Sequence, residues 1–287
     1  MKKNLLYTLL IASLFWLSAC EKVIQLDLPA GKPLPYIDAW ITDQPGLQTI
    51  RFLDAANYLD STQAAPVTGA QITLTDLTAA KTYPFNYNNG AYSYDAGTAS
   101  IGIVNHIYKL SILYSGQQFE ALDTMKRVTA IDSLPYEFKK ASGGDKEGYH
   151  AKLYAVDLAG ATDYYWIRTY KNGVINYYVH DMFSIDGAFN ENLTDGFEFI
   201  PPFRDGITSD GHPYAKGDVV RIVLRSLSKG AYNFWDRASQ QLENGGLFAK
   251  VLENVPANMK NMQPGGTTQI YGWFGVVAQT EQSTTIQ

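Results

Sequence analysis

From Tyr36 onward, turn-forming residues interrupt the chain at short, regular intervals, and this spacing constrains the fold more than any other feature. Tyr36 to Thr42 is followed by Asp43-Gln44-Pro45-Gly46, and then by Gln48 to Leu53. In Ile72-Thr73-Leu74-Thr75 apolar residues alternate with threonines, the period of two that turns one strand face to a core and the other to water. Tyr83–Tyr87 and Ala91–Tyr94 flank Asn88-Asn89-Gly90, residue types that tolerate the positive φ of a tight hairpin turn. His106–Tyr114 and Gln117–Leu122 flank Ser115-Gly116. Tyr164–Tyr170 and Val174–Val179 flank Lys171-Asn172-Gly173, the clearest hairpin signal in the chain.

Strands of this length and spacing predict a mainly β fold, with a sandwich over residues 36–129. Val128–Pro135 reads as the join to a second β-rich domain, residues 130–287. There, Asp218–Leu227 places Val220, Ile222 and Leu224 inward and Arg221 and Arg225 outward, residues 181–217 read as long loops, and the last strand spans Gln269–Gln279. One amphipathic helix is expected near residues 230–243. Ala231, Phe234, Trp235, Ala238 and Leu242 form its apolar stripe, Ser228 caps it and Asn244-Gly245-Gly246 stops it.

The N-terminus points to export. Lys2 and Lys3 precede an apolar run from Leu5 to Trp16, and Leu17-Ser18-Ala19-Cys20 closes it. A positive start, a short apolar segment and small residues at a cut define a secretory signal over residues 1–19, and the run is too short to span a bilayer. The closing four residues resemble the lipobox of bacterial lipoproteins, which implies cleavage between Ala19 and Cys20 and acylation of the Cys20 thiol. Several acyl chains on one residue are enough for stable anchoring. Residues 20–35, punctuated by Pro29, Gly31, Pro33 and Pro35, then read as a lipidated tether. Cys20 is the single cysteine, so the mature chain has no disulfide and no thiol for catalysis or metal ligation. The formal charge of −5 becomes −7 once Lys2 and Lys3 are removed, which opposes nucleic acid as a partner.

Catalytic signatures are not found. His106, His150, His180 and His212 lack metal-ligand spacing, no nucleophile elbow or phosphate-binding glycine loop occurs, and neither a cofactor nor a metal is expected. His180-Asp181 has the residue types of a base and its orienter, but adjacent strand residues face opposite ways. Asp205-Gly206 and Asp210-Gly211-His212 lack the ligand series of a calcium loop and read as turns. Aromatics are more suggestive, since rings stack on flat ligands and favour interfaces. Tyr165, Tyr177, Phe203, Arg204 and Tyr214 are the candidate ligand or partner surface.

Several runs, taken in order, resemble one family. They are Cys20-Glu21-Lys22-Val23-Ile24, Ile41-Thr42-Asp43-Gln44-Pro45-Gly46, Pro66-Val67-Thr68-Gly69-Ala70, Ile131-Asp132-Ser133-Leu134, Pro201-Pro202-Phe203-Arg204-Asp205-Gly206, Tyr232-Asn233-Phe234-Trp235 and Asn244-Gly245-Gly246-Leu247-Phe248. Together they resemble the DUF4249 family of Bacteroidota lipoproteins, across essentially the whole mature chain. The resemblance implies an outer-membrane lipoprotein with an accessory role beside a TonB-dependent receptor. It brings no agreed catalytic residues. The first domain also resembles the immunoglobulin-like or transthyretin-like sandwich of carboxypeptidase regulatory domains. Glu21-Lys22 followed by Val23-Ile24 matches the surface-export pattern of such lipoproteins in part, so periplasmic and surface-exposed faces both stay open. The expected function is non-catalytic binding or an accessory role. The alternatives are a surface glycan or peptide hydrolase with its site in the 181–217 loops, and a structural envelope protein.

Overall fold

The computed structural model describes residues 34–55, 64–191, 194–242 and 254–287. The expected signal peptide, the Ala19–Cys20 cleavage point, nearly all of the tether and the Asn244-Gly245-Gly246 stop lie outside the described residues. Among the described residues the fold is mainly β, with seventeen strands and two helices. No described helix is long and apolar enough to cross a membrane.

The strands are β1 (Pro35–Thr42), β2 (Leu47–Asp54), β3 (Ala65–Pro66), β4 (Gln71–Asp76), β5 (Lys81–Asn88), β6 (Ala91–Asp95), β7 (Ile107–Tyr114), β8 (Gln117–Thr124), β9 (Tyr136–Lys139), β10 (Gly148–Ala151), β11 (Tyr164–Lys171), β12 (Val174–Ile175), β13 (Met182–Ile185), β14 (Val219–Leu227), β15 (Lys260–Asn261), β16 (Tyr271–Val277) and β17 (Gln279–Thr285). The helices are α1 (Pro201–Asp205) and α2 (Lys229–Leu242).

Ten strands form one curled sheet in the order β15-β8-β7-β4-β5-β6-β2-β1-β16, with β3 beside β2. Its pairings are antiparallel except β1 with β16, which is parallel. Alternation sets the inner face: Ile37, Ala39 and Ile41 of β1, Ile72 and Leu74 of β4, and Tyr108, Leu110 and Ile112 of β7 all enter one core. The hairpin turns carry the expected positive φ at Asn89-Gly90, Ser115-Gly116 and Asn172-Gly173.

A five-stranded sheet, β12-β11-β14-β17 with β13 beside β11, covers a second core of Leu153, Tyr165, Ile167, Phe199, Ile222 and Leu224. A third cluster joins the two sheets under α2. Trp40 of β1 meets Trp166 of β11 edge-on at 5.3 Å and stacks with Trp235 of α2 at 5.6 Å. Ser228 caps α2 as its sequence predicts, accepting the Ala231 N–H at 3.2 Å. Leu242 departs from the expected stripe and is exposed.

Two further expectations change. The single strand expected over Gln269–Gln279 is two strands. They divide at buried Ala278, whose N–H donates to Ser226 Oγ and whose carbonyl accepts the Ser226 N–H. β16 joins the first sheet and β17 the second, so the C-terminal chain serves both, and residues 260–277 pack with the strands of 36–129. The expected 181–217 loops also contain β13 and α1.

Candidate functional site

The five residues expected as a ligand surface do not form one. Tyr165, Phe203 and Tyr214 are core residues. The Tyr165 hydroxyl donates to buried Asp157 at 2.6 Å, and that of Tyr214 donates to the Ile207 carbonyl at 2.8 Å. Tyr177 is 82% exposed, whereas Arg204 is held against the Tyr154 ring and beside Asp205. The reason is visible in β11, where the second core covers one face and the tryptophan cluster the other. Alternation there leaves no outward half. Asp181 is likewise committed: it accepts from Trp166 Nε1 at 2.9 Å and from the Arg168 guanidinium, so it does not orient His180.

A different place, which the sequence reading missed, has the form of a site. The curled sheet nearly closes where β8 and β15 approach β16, and side chains make that closure instead of a backbone ladder. Asn258 acts as a substitute peptide group: its Nδ2 donates to the Phe274 carbonyl at 2.7 Å, and its Oδ1 accepts the Phe274 N–H at 3.0 Å. Two residues further along β16, the Val276 N–H donates to Asp123 Oδ2 at 3.0 Å. Lys126 then pairs with Val277.

Between these stitches the seam splays. β15 pairs with β8 only at Phe119 and Glu120, and the preceding residues leave β8 for β16 at Asn258. The gap is a cleft of about 590 Å³, within the usual range for small-ligand sites. Leu122, Met262, Ala257 and Trp273 form its apolar walls, and Glu120, Asp123, Ser228, Asn258 and Lys260 its polar part. Leu122 and Met262 are 59% and 51% exposed, large apolar side chains held at an opening. Gly230, in the first turn of α2, also belongs to the wall, since a Cβ there would come within 3.2 Å of the Trp273 ring.

Asp123 is the unusual group in this cleft. It is only 9% exposed, and burial pushes its carboxyl up to about 6. The Ser228 hydroxyl, the Val276 and Thr124 N–H groups and, last, the nearby Lys126 charge pull the other way by favouring the ionised form.

A smaller polar cleft of about 300 Å³ gathers His150, Lys139, Lys152, Asp205 and Asp210. His150 is buried, with Nδ1 3.6 Å from Asp210, too long for a hydrogen bond. Burial, followed by nearby Lys139, lowers its pKa and favours neutral imidazole. Thr208, the hydroxyl in this cleft, is spent on the backbone of Ala151, to which it donates and from which it accepts at 3.0 Å. Among the described residues no three His, Cys, Asp or Glu side chains converge to hold a metal ion.

The model of a domain of unknown function, DUF4249, matches residues 21–283. The chain belongs to the DUF4249 family. No curated protein matches its sequence. The matched span includes both described clefts and the whole seam, so Asp123, Asn258 and Trp273 all lie within the DUF4249 region.

Proposed function

We propose that this DUF4249 protein is a lipid-anchored, non-catalytic binding protein of the outer membrane, accessory to a TonB-dependent receptor, and that the seam cleft is where it takes its ligand. The cleft carries this reading: it is concave and sets apolar walls beside several polar groups, a combination found in binding pockets. The anchor follows from the lipobox-like residues ending at Cys20, and the receptor association from the family resemblance.

Crosslinking in intact cells followed by pull-down tests the assignment. Recovery of a TonB-dependent receptor with the wild-type protein, reduced in an Ala257→Phe variant that fills the cleft, is the expected result. Recovery of no receptor overturns the accessory role. One observation favours a second reading, a surface hydrolase: Asp205 and Asp210 of the 181–217 segment line the polar cleft together with buried His150, whose pKa is lowered. Turnover in a broad polymer screen, lost in Asp210→Asn and His150→Gln, would replace the first reading with the second. Neither receptor nor turnover would leave a structural envelope protein.

A further inference from the structure

The arrangement of charge around the seam cleft narrows the chemistry of its ligand. Glu120 is already answered: Lys109 Nζ donates to it at 3.1 Å. Buried Asp76 and Asp163 are paired with His106 and Arg127, whereas buried Asp157 and Asp186, like Asp123, accept from N–H or O–H groups but lie outside the cleft. Asp123 lines the cleft, and among the described residues no Lys, Arg or His nitrogen lies within 4.0 Å of it. It accepts from N–H and O–H groups, and Lys126 acts on it only from beyond 4.0 Å, so the buried charge has no cation in contact and stands beside an indole and exposed apolar side chains. Such a charge is costly until it is paired, and an aromatic face adds attraction for a cation.

We infer that the seam cleft takes an organic cation, an ammonium or guanidinium on an apolar body, with the charged head at Asp123 and the body between Trp273, Leu122 and Met262. This rests on the cleft being the binding site. The ligand head supplies the countercharge that the fold withholds, and the ligand body covers Leu122 and Met262. Ionisation of Asp123 then governs affinity. The other charged groups near it are Glu120 on β8, Lys126 just beyond β8, Lys260 on β15 and Lys229 at the start of α2. Lys229 is bonded to Glu191, and β16 contributes no charged group.

Calorimetric titration of the full-length protein with phenethylamine, phenylethanol and phenylacetate tests the inference, because the three probes share a body and differ in head charge. At about pH 7.5 the amine binds at least about tenfold tighter than the alcohol, and the acid binds weakest. Lowering the pH to about 5 protonates most of Asp123, and the amine, which stays charged, loses about tenfold in affinity. Asp123→Asn removes the preference. The pH profile needs no variant, so it decides the matter even where the variant is unstable. Equal binding of amine and alcohol, or an amine affinity flat in pH, overturns the cation assignment. If Ala257→Phe still abolishes binding in that case, the cleft itself stands. Binding by none of the probes, or binding that Ala257→Phe leaves unchanged, overturns both.

Discussion

Replacing Asn258 by alanine tests whether side chains close the curled sheet. The Asn258 amide satisfies both the N–H and the carbonyl of Phe274, a residue fully buried in the first core. Removing it leaves two backbone groups without partners, each worth about 1–3 kcal/mol when buried. The vacated space adjoins the cleft, where water can enter, so the lower half of that range applies and the loss is about 2–4 kcal/mol. For a folded unit of this size that lowers the melting temperature by roughly 5–15 °C. Asn258→Asp sharpens the test. It keeps an acceptor for the N–H, but sets an ionised oxygen against the carbonyl, so its stability should recover at acid pH, where a protonated carboxyl can donate. Urea unfolding followed by tryptophan fluorescence measures both variants, and a shift in midpoint at constant slope is the signature of lost stability in the folded form. If both variants lie within about 0.5 kcal/mol of wild type, the seam does not depend on this amide and the account of closure is wrong.

Other outcomes follow from the same structure. Asp123 has a folded pKa of about 6 against about 3.9 in an unfolded chain, so its contribution is fully present below about pH 4 and is lost as pH rises through 6. Unfolding free energy relative to Asp123→Asn should therefore fall by on the order of 3 kcal/mol between pH 4 and 7, and a flat difference would contradict the burial argument. Gly272 has φ +83°, and a Cβ there would lie 2.0 Å from the Ile37 carbonyl oxygen; Gly272→Ala should cost more than about 2 kcal/mol by forcing β16 off β1, read by thermal melting. Cys20→Ser should move the protein out of the membrane fraction and abolish fatty-acid labelling, and retention with unchanged labelling would remove the lipid anchor from the proposal.

Much of the fold is written locally. The alternation in β1, β4 and β7 and the turn pairs Asn89-Gly90 and Asn172-Gly173 each depend on neighbours within a few residues. So does the Ser228 cap on α2. What the sequence does not display is long-range. The parallel pairing of Tyr36–Thr42 with Tyr271–Val277 joins opposite ends of the chain and has no turn to announce it. Tyr165 was expected at a surface because alternation identifies opposite faces without telling whether a second layer covers both. One overlooked signal was present, however: Gly272 and Gly275 interrupt an otherwise apolar strand, a pattern that marks close approach by another group. A Cβ at Gly272 would strike the Ile37 backbone, and one at Gly275 the Trp40 ring, so β16 is packed tightly against β1.

The candidate site follows from the way the curled sheet ends. β16 spends one edge on the parallel ladder with β1, and its other edge presents Phe274 and Val276 towards β8. A continuous ladder there would satisfy every backbone group and leave no opening, because adjacent strands lie only about 4.8 Å apart. Asn258 and Asp123 satisfy the same groups through side chains, which hold the strands at a greater distance and leave the cleft between them. The asparagine does this with a neutral amide that matches a peptide group in both directions. The aspartate, when ionised, can only accept, and it then carries a charge that is buried with no cation in contact. Of the two stitches, one therefore suits closure alone, whereas the other leaves an electrostatic demand at the wall of the cavity that a bound cation would meet.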